Sequence, residues 1–464
     1  MRKKASRFSL ALICVACLAF TGCLGQTEGT NTNVEEKKEP EKIKIKDLSQ
    51  AWDAILNKST KEFIGGHPID EAFLSFVTAK YGNSVIEEIA SYAYFDTPEI
   101  WYQLTGKSIH VLWYDYCKET GIQNYSFDNT YLLDDNESTS PNEIVIDLAG
   151  DLTLAENVST TVFMDQQING IEDCFSQDLL DEMRSADLMI INNEFAFTDR
   201  GEALEGKAYT FRGNPSRVGL IKELGVDLVS LANNHVYDYG EIGLLDTLDT
   251  LEGDSIPYVG AGRNLNQAVT PVYFIVGGRK IAICAATQIE RTFTYTKEAT
   301  EDSPGVLKCL HPELFCQEIA MAKTNADYVI VYPHWGTEGN ANYGTDQAAL
   351  ARKFVDAGAD VVIGGHTHCL QTIEYMDDIP IYYSLGNYYF SVSAQSPADY
   401  NTGLAQIRIQ PDGGIDCFFI PCLYSDGVTS LLNSEDKAFS DIINSLNKLS
   451  KTAVLDSHGH VTKQ

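Results

Sequence analysis

The 464-residue chain has no apolar run long enough to cross a bilayer comfortably as a helix, which takes about 20 residues. Basic residues are scarce. There are 34 Lys and Arg against 65 Asp and Glu, for a formal net charge of −31. So acidic a chain is hostile to nucleic acid, whose phosphates are neutralised by basic clusters. No nucleic-acid partner is expected. No internal repeat is evident. Eleven cysteines are present, yet none of the eight beyond residue 23 forms a Cys-x-x-Cys zinc motif. Eight cysteines in so long a chain do not make a disulfide scaffold. Cys309–Cys316 and Cys417–Cys422 are the close pairs open to oxidation, with free buried thiols the alternative.

What is present is ordinary globular material, with 44% hydrophobic and 21% charged residues. The length implies about two folded regions plus tails. The first residues read as a processing signal. Arg2, Lys3, Lys4 and Arg7 form a basic start, Phe8 to Phe20 is apolar apart from Ser9, and Thr21-Gly22-Cys23 follows. This is similar to a bacterial lipobox, which implies a lipoprotein signal peptide at 1–22 and lipidation of Cys23. Residues 23–46 are polar and then charged, the composition of a flexible tether. The expected location is extracytoplasmic, anchored to the cell membrane by the lipid.

Residues 47–125 read as a helical domain. Trp52, Ile55 and Leu56 have helical spacing, as do Phe73, Phe76 and Val77, and Leu112, Trp113, Tyr116 and Cys117. Gly65-Gly66-His67-Pro68 and Asp96-Thr97-Pro98 interrupt it, and Pro98 suits a first helical turn. This region shows no catalytic constellation, and His67 and His110 read as structural or surface residues. A polar linker ends at Asn142. Beyond it the pattern changes to short apolar strands alternating with helices. The strands are Ile144–Ala149, Leu188–Ile191, Asp227–Leu231, Ile281–Ala285, Tyr328–Tyr332 and Val361–Ile363. Near-continuous apolar strands of this kind belong to sheets covered by helices.

Most of these strands run straight into polar residues. Gly150-Asp151, Asn192-Asn193-Glu194, Asn233-Asn234-His235, His334 and His366-Thr367-His368 all occupy strand ends. Sheets of this class place ligands at the carboxyl ends of strands. Imidazole suits zinc, iron, nickel or manganese, and carboxylate or amide oxygen suits manganese and magnesium. Two such ions activate water and steady a leaving oxygen. Each motif alone is weak; their joint order makes the case for a metal centre.

Six segments together resemble the CapA-type poly-γ-glutamate capsule biosynthesis proteins of the calcineurin-like metallophosphatase superfamily. They are Ile146–Asp151, Asn192–Glu194, Leu231–Gly240 (with Asp238), His334–Glu338, Gly358–His368 and Tyr383–Tyr388 (with Asn387). The resemblance covers about 142–430. It implies an α/β fold, a metallophosphatase-like two-sheet sandwich flanked by helices, here preceded by a small all-α domain. Residues 431–464 fall outside it and read as a C-terminal tail. By the same resemblance Asp151 and His368 serve one metal, Glu194 bridges, and Asn234, His334 and His366 hold the second. His235 is the catalytic imidazole, with Asp238, Glu338 and Asn387 as further site residues. One or two divalent ions of the manganese, iron or zinc type are implied. Partners are the membrane, capsule synthesis or export proteins, and an anionic polymer or phosphate ester. Typical metallophosphatases open on Asp-x-His, whereas this chain has Asp151-Leu152-Thr153, so the first site lacks a histidine. A capsule-related phosphoesterase-like protein, a general envelope metallophosphoesterase and a non-catalytic export scaffold all remain open.

The lipobox reading has a direct test. Cys23→Ala should release the protein from membranes or leave it unprocessed, seen by fractionation and by mass spectrometry of the mature N-terminus. Normal cleavage with unchanged membrane retention would sink it.

Overall fold

Each central strand divides its side chains between two apolar layers. Along Ile144–Leu152, Ile144, Ile146 and Leu148 enter one core while Ala149 and Leu152 enter another. Leu188–Asn193 sends Leu188 and Ile190 to the first and Met189 and Ile191 to the second. Arg279–Thr287 sends Ile281, Ile283 and Ala285 to the first, and Ala282, Cys284 and Ala286 to a third. Side chains alternate with period two, so a strand buried on both faces reads as an unbroken apolar run.

The first core therefore lies between two sheets, and the other two lie under helices. Gln177–Ser185 and Gly240–Gly253 cover one outer face. Glu313–Asn325 and Thr345–Asp356 cover the other. The chain is an α/β two-sheet sandwich flanked by helices, in a computed structural model that describes residues 42–58, 69–92, 98–122, 129–133, 143–156, 158–292, 294–390 and 400–464. The signal peptide, Cys23, most of the tether, the breaks at 65–68 and 96–97, and the linker through 142 lie outside the described residues. Among the described residues no helix is long and apolar enough to cross a membrane.

The seven-stranded sheet has the order Thr130–Leu132, Val272–Val276, Arg279–Thr287, Tyr328–His334, Val361–Ile363, Ile379–Tyr382, Ile373–Met376. In the ten-stranded sheet Ile144–Leu152 lies between Leu188–Asn193, parallel, and Asn401–Ile409, antiparallel. Several strands run on past their apolar stretch. Asp151 pairs with Asn192, Leu152 with Asn193, and Thr287 with His334, so the ladder carries polar residues to the sheet ends. The register shifts between Leu148 and Asp151, the kind of irregularity that re-aims a side chain. Gly150 sits in that shift, and a Cβ there would lie 2.0 Å from the Gly386 carbonyl oxygen.

Among the described residues five helices, Leu48–Lys58, Glu71–Tyr81, Asn83–Ser91, Pro98–Thr105 and Ile109–Thr120, build the N-terminal region around Phe73, Trp101, Trp113 and Tyr116. Ser108 caps the last of them, accepting from the Val111 N–H at 3.3 Å. This region joins the seven-stranded sheet at strand starts. Buried His110 places Nε2 3.0 Å from Asp327 Oδ2, and Asp327 also accepts from the Lys280 N–H at 2.8 Å. Burial pulls the neighbouring Lys280 ammonium down to about 7.

Residues from 431 onward do not form a loose tail. Helix Lys437–Leu449 buries Phe439, Ile442, Ile443 and Leu446 in the inter-sheet core. Strands Ala453–Leu455 and His460–Lys463 extend the ten-stranded sheet. Glu374 fixes the connection by accepting from the Lys451 and Thr452 N–H groups. All eight described cysteines are free, seven of them buried.

One buried group makes stability depend on pH. Burial pushes the Asp147 carboxyl up to about 7, helped by the nearby Glu182 charge and opposed by Gln406, which donates to Oδ1 at 3.0 Å. Below about pH 4 folded and unfolded chains both hold this proton. From there to pH 7 only the unfolded chain ionises, and stability falls by about 1.4 kcal/mol per pH unit from this group. Asp147→Asn keeps the acceptor for Gln406 and carries no charge. It should therefore melt well above the parent at pH 8 and alongside it at pH 4. Calorimetric scans showing the same difference at both pH values would contradict this.

Candidate metal centre

The centre lies where strands of both sheets end. Asp151 stands in Ile144–Leu152, and Glu194 directly follows Leu188–Asn193. Asn234 and His235 follow Leu228–Ser230, His334 closes Tyr328–His334, and His366 and His368 follow Val361–Ile363. Asn387 opens the strand Asn387–Tyr389. Long-range strand pairing thus brings together residues up to more than two hundred positions apart.

Ligand atoms of Glu194, His334 and His366 lie within 4.8 Å of one another, and so do those of Asp151, Glu194 and His368. Glu194 belongs to both groups. Asn234 joins the first, with Oδ1 2.8 Å from His334 Nε2. Asn192 ties the two carboxylates together, its amide donating to Asp151 Oδ1 at 2.8 Å and to Glu194 Oε2 at 3.3 Å. His368 Nδ1 lies 3.4 Å from Asp151 Oδ2 and 2.8 Å from Asn387 Oδ1.

Asn234 and His235 are adjacent yet face different partners, and Asn233 is the reason. Its Oδ1 accepts from the N–H groups of His235 and Val236 at 3.0 and 2.9 Å, which bends the chain sharply. Asn234 then meets His334, while His235 donates from Nδ1 to Asp238 Oδ2 at 2.7 Å. His366 and His368 are held at φ 91° and 54°, left-handed conformations that non-glycine residues adopt at a cost. Glu338 is exposed on the rim, and its charge is felt by Glu194 and His368.

Burial sets the electrostatics. It pulls the His334 imidazole down to about 3, with the Asp151 charge opposing. His366 lies well below the usual histidine range through burial and the neighbouring His334 and His368. His235 is lowered by burial, partly offset by Asp238. Burial also acts downward on His368, but its contact with Asp151 outweighs this and the imidazole is raised. Glu194 is held well above the carboxylate range by burial and then by the Asp151 charge. Burial works upward on Asp151 too, and is outweighed by His368 and His334, leaving it low.

A metal fits this donor set. His366 Nδ1 and Glu194 Oε1 are buried and make no hydrogen bond, the condition a cation relieves. A Cβ at Gly365 would lie 2.9 Å from Asp151 Oδ1 and 3.5 Å from His334 Nδ1, so glycine keeps the space open. Neutral imidazole, carboxylate and amide oxygen are donors for divalent ions of the manganese, iron or zinc type. Thr153, at the position of the missing histidine, accepts from the Ala155 N–H in its own loop at 3.2 Å.

Residues 145–392, a little over half of the chain, match the family described as bacterial capsule synthesis protein PGA_cap. The chain belongs to that family. Relatives include the capsule biosynthesis protein CapA of Bacillus anthracis, 35% identical over 47% of this chain and 53% of that protein. The PGA biosynthesis protein CapA of Bacillus subtilis (strain 168) is 36% identical over 43% of this chain and 51% of its own. The match spans about half the length of these relatives. Among solved structures, a 5'-nucleotidase from Candida albicans SC5314 aligns with 59% of this chain and 48% of its own, at 13% identity and a TM-score of 0.33. That likeness is too loose to bear on the site.

Sequence alone did not single out Asn192, Asn233 or Lys207 in this PGA_cap chain. Lys207 donates to the Asn234 carbonyl and to Asp238 Oδ1, the latter at 2.6 Å. The first two sit inside quoted motifs, whereas nothing around Lys207 marks it. The geometry makes a graded prediction. His366→Ala should remove most bound metal, Glu194→Ala should deplete both groups, and Asp151→Ala should remove less than His366→Ala. Elemental analysis of purified variants checks this, and stoichiometric metal surviving in His366→Ala would refute the assignment.

Proposed function

We propose that this PGA_cap member is a lipid-anchored cell-surface protein that serves poly-γ-glutamate or related capsule biosynthesis or export through a metal-dependent, phosphoesterase-like centre. The observation that carries the reading is the pair of three-donor groups sharing Glu194. Asn234, His334 and His366 would hold one ion and Asp151 and His368 the other, with Glu194 between them. A bound metal supplies Lewis-acid polarisation of a substrate oxygen.

The chain's own residues do the rest. Asp238 fixes the His235 ring by accepting from Nδ1, and Phe211 packs against it with centroids 4.6 Å apart. With Nδ1–H given to Asp238, Nε2 is a proton acceptor in the neutral ring, and it passes a proton to a leaving group or hydrogen-bonds developing charge in the imidazolium form, which the Asp238 carboxylate favours against burial. Near neutrality the buried, lowered imidazoles of His334 and His366 stay in the uncharged form that binds metals.

A second reading, a non-catalytic export scaffold, draws support from Thr153, which leaves the Asp151 group without a further imidazole. Metal analysis alongside a phosphoesterase screen separates the two. Turnover of chromogenic phosphate esters that rises with added manganese supports the enzyme. Metal without turnover across the screen supports the scaffold.

His235→Ala sharpens the test. It should keep fold and metal yet lose about 10²–10⁴ in rate, the usual loss for a positioned acid or base. A folded, metal-loaded His235→Ala protein with full ester hydrolysis and full capsule output would end the catalytic reading.

A further inference from the structure

Lys207 stands out as a cation drawn into the wall of the centre of a strongly acidic protein. Its side chain is only 8% exposed. Two hydrogen-bond acceptors and a further carboxylate, drawn from two segments other than its own, converge on Nζ. They are the Asn234 carbonyl, Asp238 Oδ1 at 2.6 Å and Glu290 Oε1 at 3.3 Å. The first two belong to the turn that presents Asn234 and His235, and the third to a segment that follows Arg279–Thr287 in the other sheet. Further bonds tie the same three segments. Thr296 Oγ1 donates to the Asn234 carbonyl at 3.0 Å, the Tyr295 hydroxyl donates to the Gly206 carbonyl at 2.7 Å, and the Leu204 N–H donates to the Asp238 carbonyl at 2.9 Å.

Asp238 is fully buried, and its two oxygens are divided among donors. Oδ2 accepts from His235 Nδ1 at 2.7 Å and from the Phe211 N–H at 2.6 Å, and Oδ1 accepts from Lys207. Lys207 is the side-chain donor that keeps Oδ1 from turning toward the imidazole or the backbone. A buried carboxylate stripped of a charged partner leaves a large desolvation cost to be relieved by movement. Residues behind a metal ligand or a catalytic imidazole fix its orientation in this way.

We infer that Lys207 is a positioning residue that locks Asp238, and through it the His235 ring, while holding the Asn234 carbonyl on the other side of the same turn. This rests on the proposed role of His235 but concerns a hydrogen bond that can be observed without turnover. Nζ acts through Asp238 and the Asn234 carbonyl and not on the reacting atoms.

The test is proton NMR of the purified protein labelled at histidine, with Zn²⁺ added so that no paramagnetic ion broadens the signal. The Nδ1–H bound to Asp238 should give a downfield resonance, assigned by its loss in His235→Asn. Lys207→Met should displace or abolish it in protein that stays folded at a lowered Tm, and Lys207→Arg, which keeps donor and charge, should retain it. If Lys207→Met does not fold, Lys207→Gln carries the same expectation. An unchanged resonance in a folded Lys207→Met or Lys207→Gln protein would overturn the inference, as would equal loss in Lys207→Arg. Chromogenic ester turnover in Lys207→Met should fall about tenfold or more in kcat with little change in KM, as for loss of orientation. Absence of turnover in the parent with the resonance still governed by Lys207 would sink the hydrolase reading and leave the positioning role standing.

Discussion

Two carboxylates buried side by side are the constraint around which the centre is arranged. Asp151 and Glu194 are fully buried, and a single amide, that of Asn192, reaches both. Two ionised carboxylates in so small a dry space repel unless a proton or a cation sits among them. The protein on its own answers with a proton, since Glu194 is held well above the carboxylate range. His334 and His366 crowd the same space and burial keeps them uncharged, while His368, raised by its contact with Asp151, is spent on that carboxylate. Divalent cations satisfy all of these groups at once, which is why the donor set reads as a metal centre and not as a salt-bridge network.

The sandwich itself was legible because its strands are buried on both faces. Ile144–Ala149, Leu188–Ile191, Tyr328–Tyr332 and Val361–Ile363 need no partner to be recognised as apolar runs. Their ends were less legible. Asp151, Asn192 and His334 look like loop residues by polarity, and only cross-strand pairing keeps them in the ladder. The last helix is readable from its spacing. Phe439, Ile442, Ile443 and Leu446 have the spacing of an apolar helical face, yet the segment lies beyond the motifs and so looked like a tail.

The centre was legible to the extent that strand-end motifs name their own ligands. The groups that orient those ligands were not. Asn233 bends the turn through its side chain, and an Asn-Asn-His string does not reveal which asparagine turns the chain and which faces the metal. Lys207 sits in the stretch between Phe197 and Arg212, where polar residues carry no periodicity. Its partner Asp238 is 31 residues away and Glu290 lies in the other sheet's connection, so only the folded chain shows the contact. Membership of the PGA_cap family covers the motifs at 145–392 and leaves the helical region and the C-terminal helix to be explained by packing alone.

The docking of the helical region through His110 and Asp327 has a consequence for how variation accumulates. Asp327 precedes Tyr328–His334, and the seven residues of that strand at about 3.3 Å each put the junction roughly 20 Å from the metal centre. Perturbations that far apart, with no shared partners, add almost independently in free energy. The helical region is thus free to drift, to be exchanged or to acquire new surface chemistry without detuning the histidines. The strand between them acts as an insulator, keeping a change at the junction from reaching the ligands.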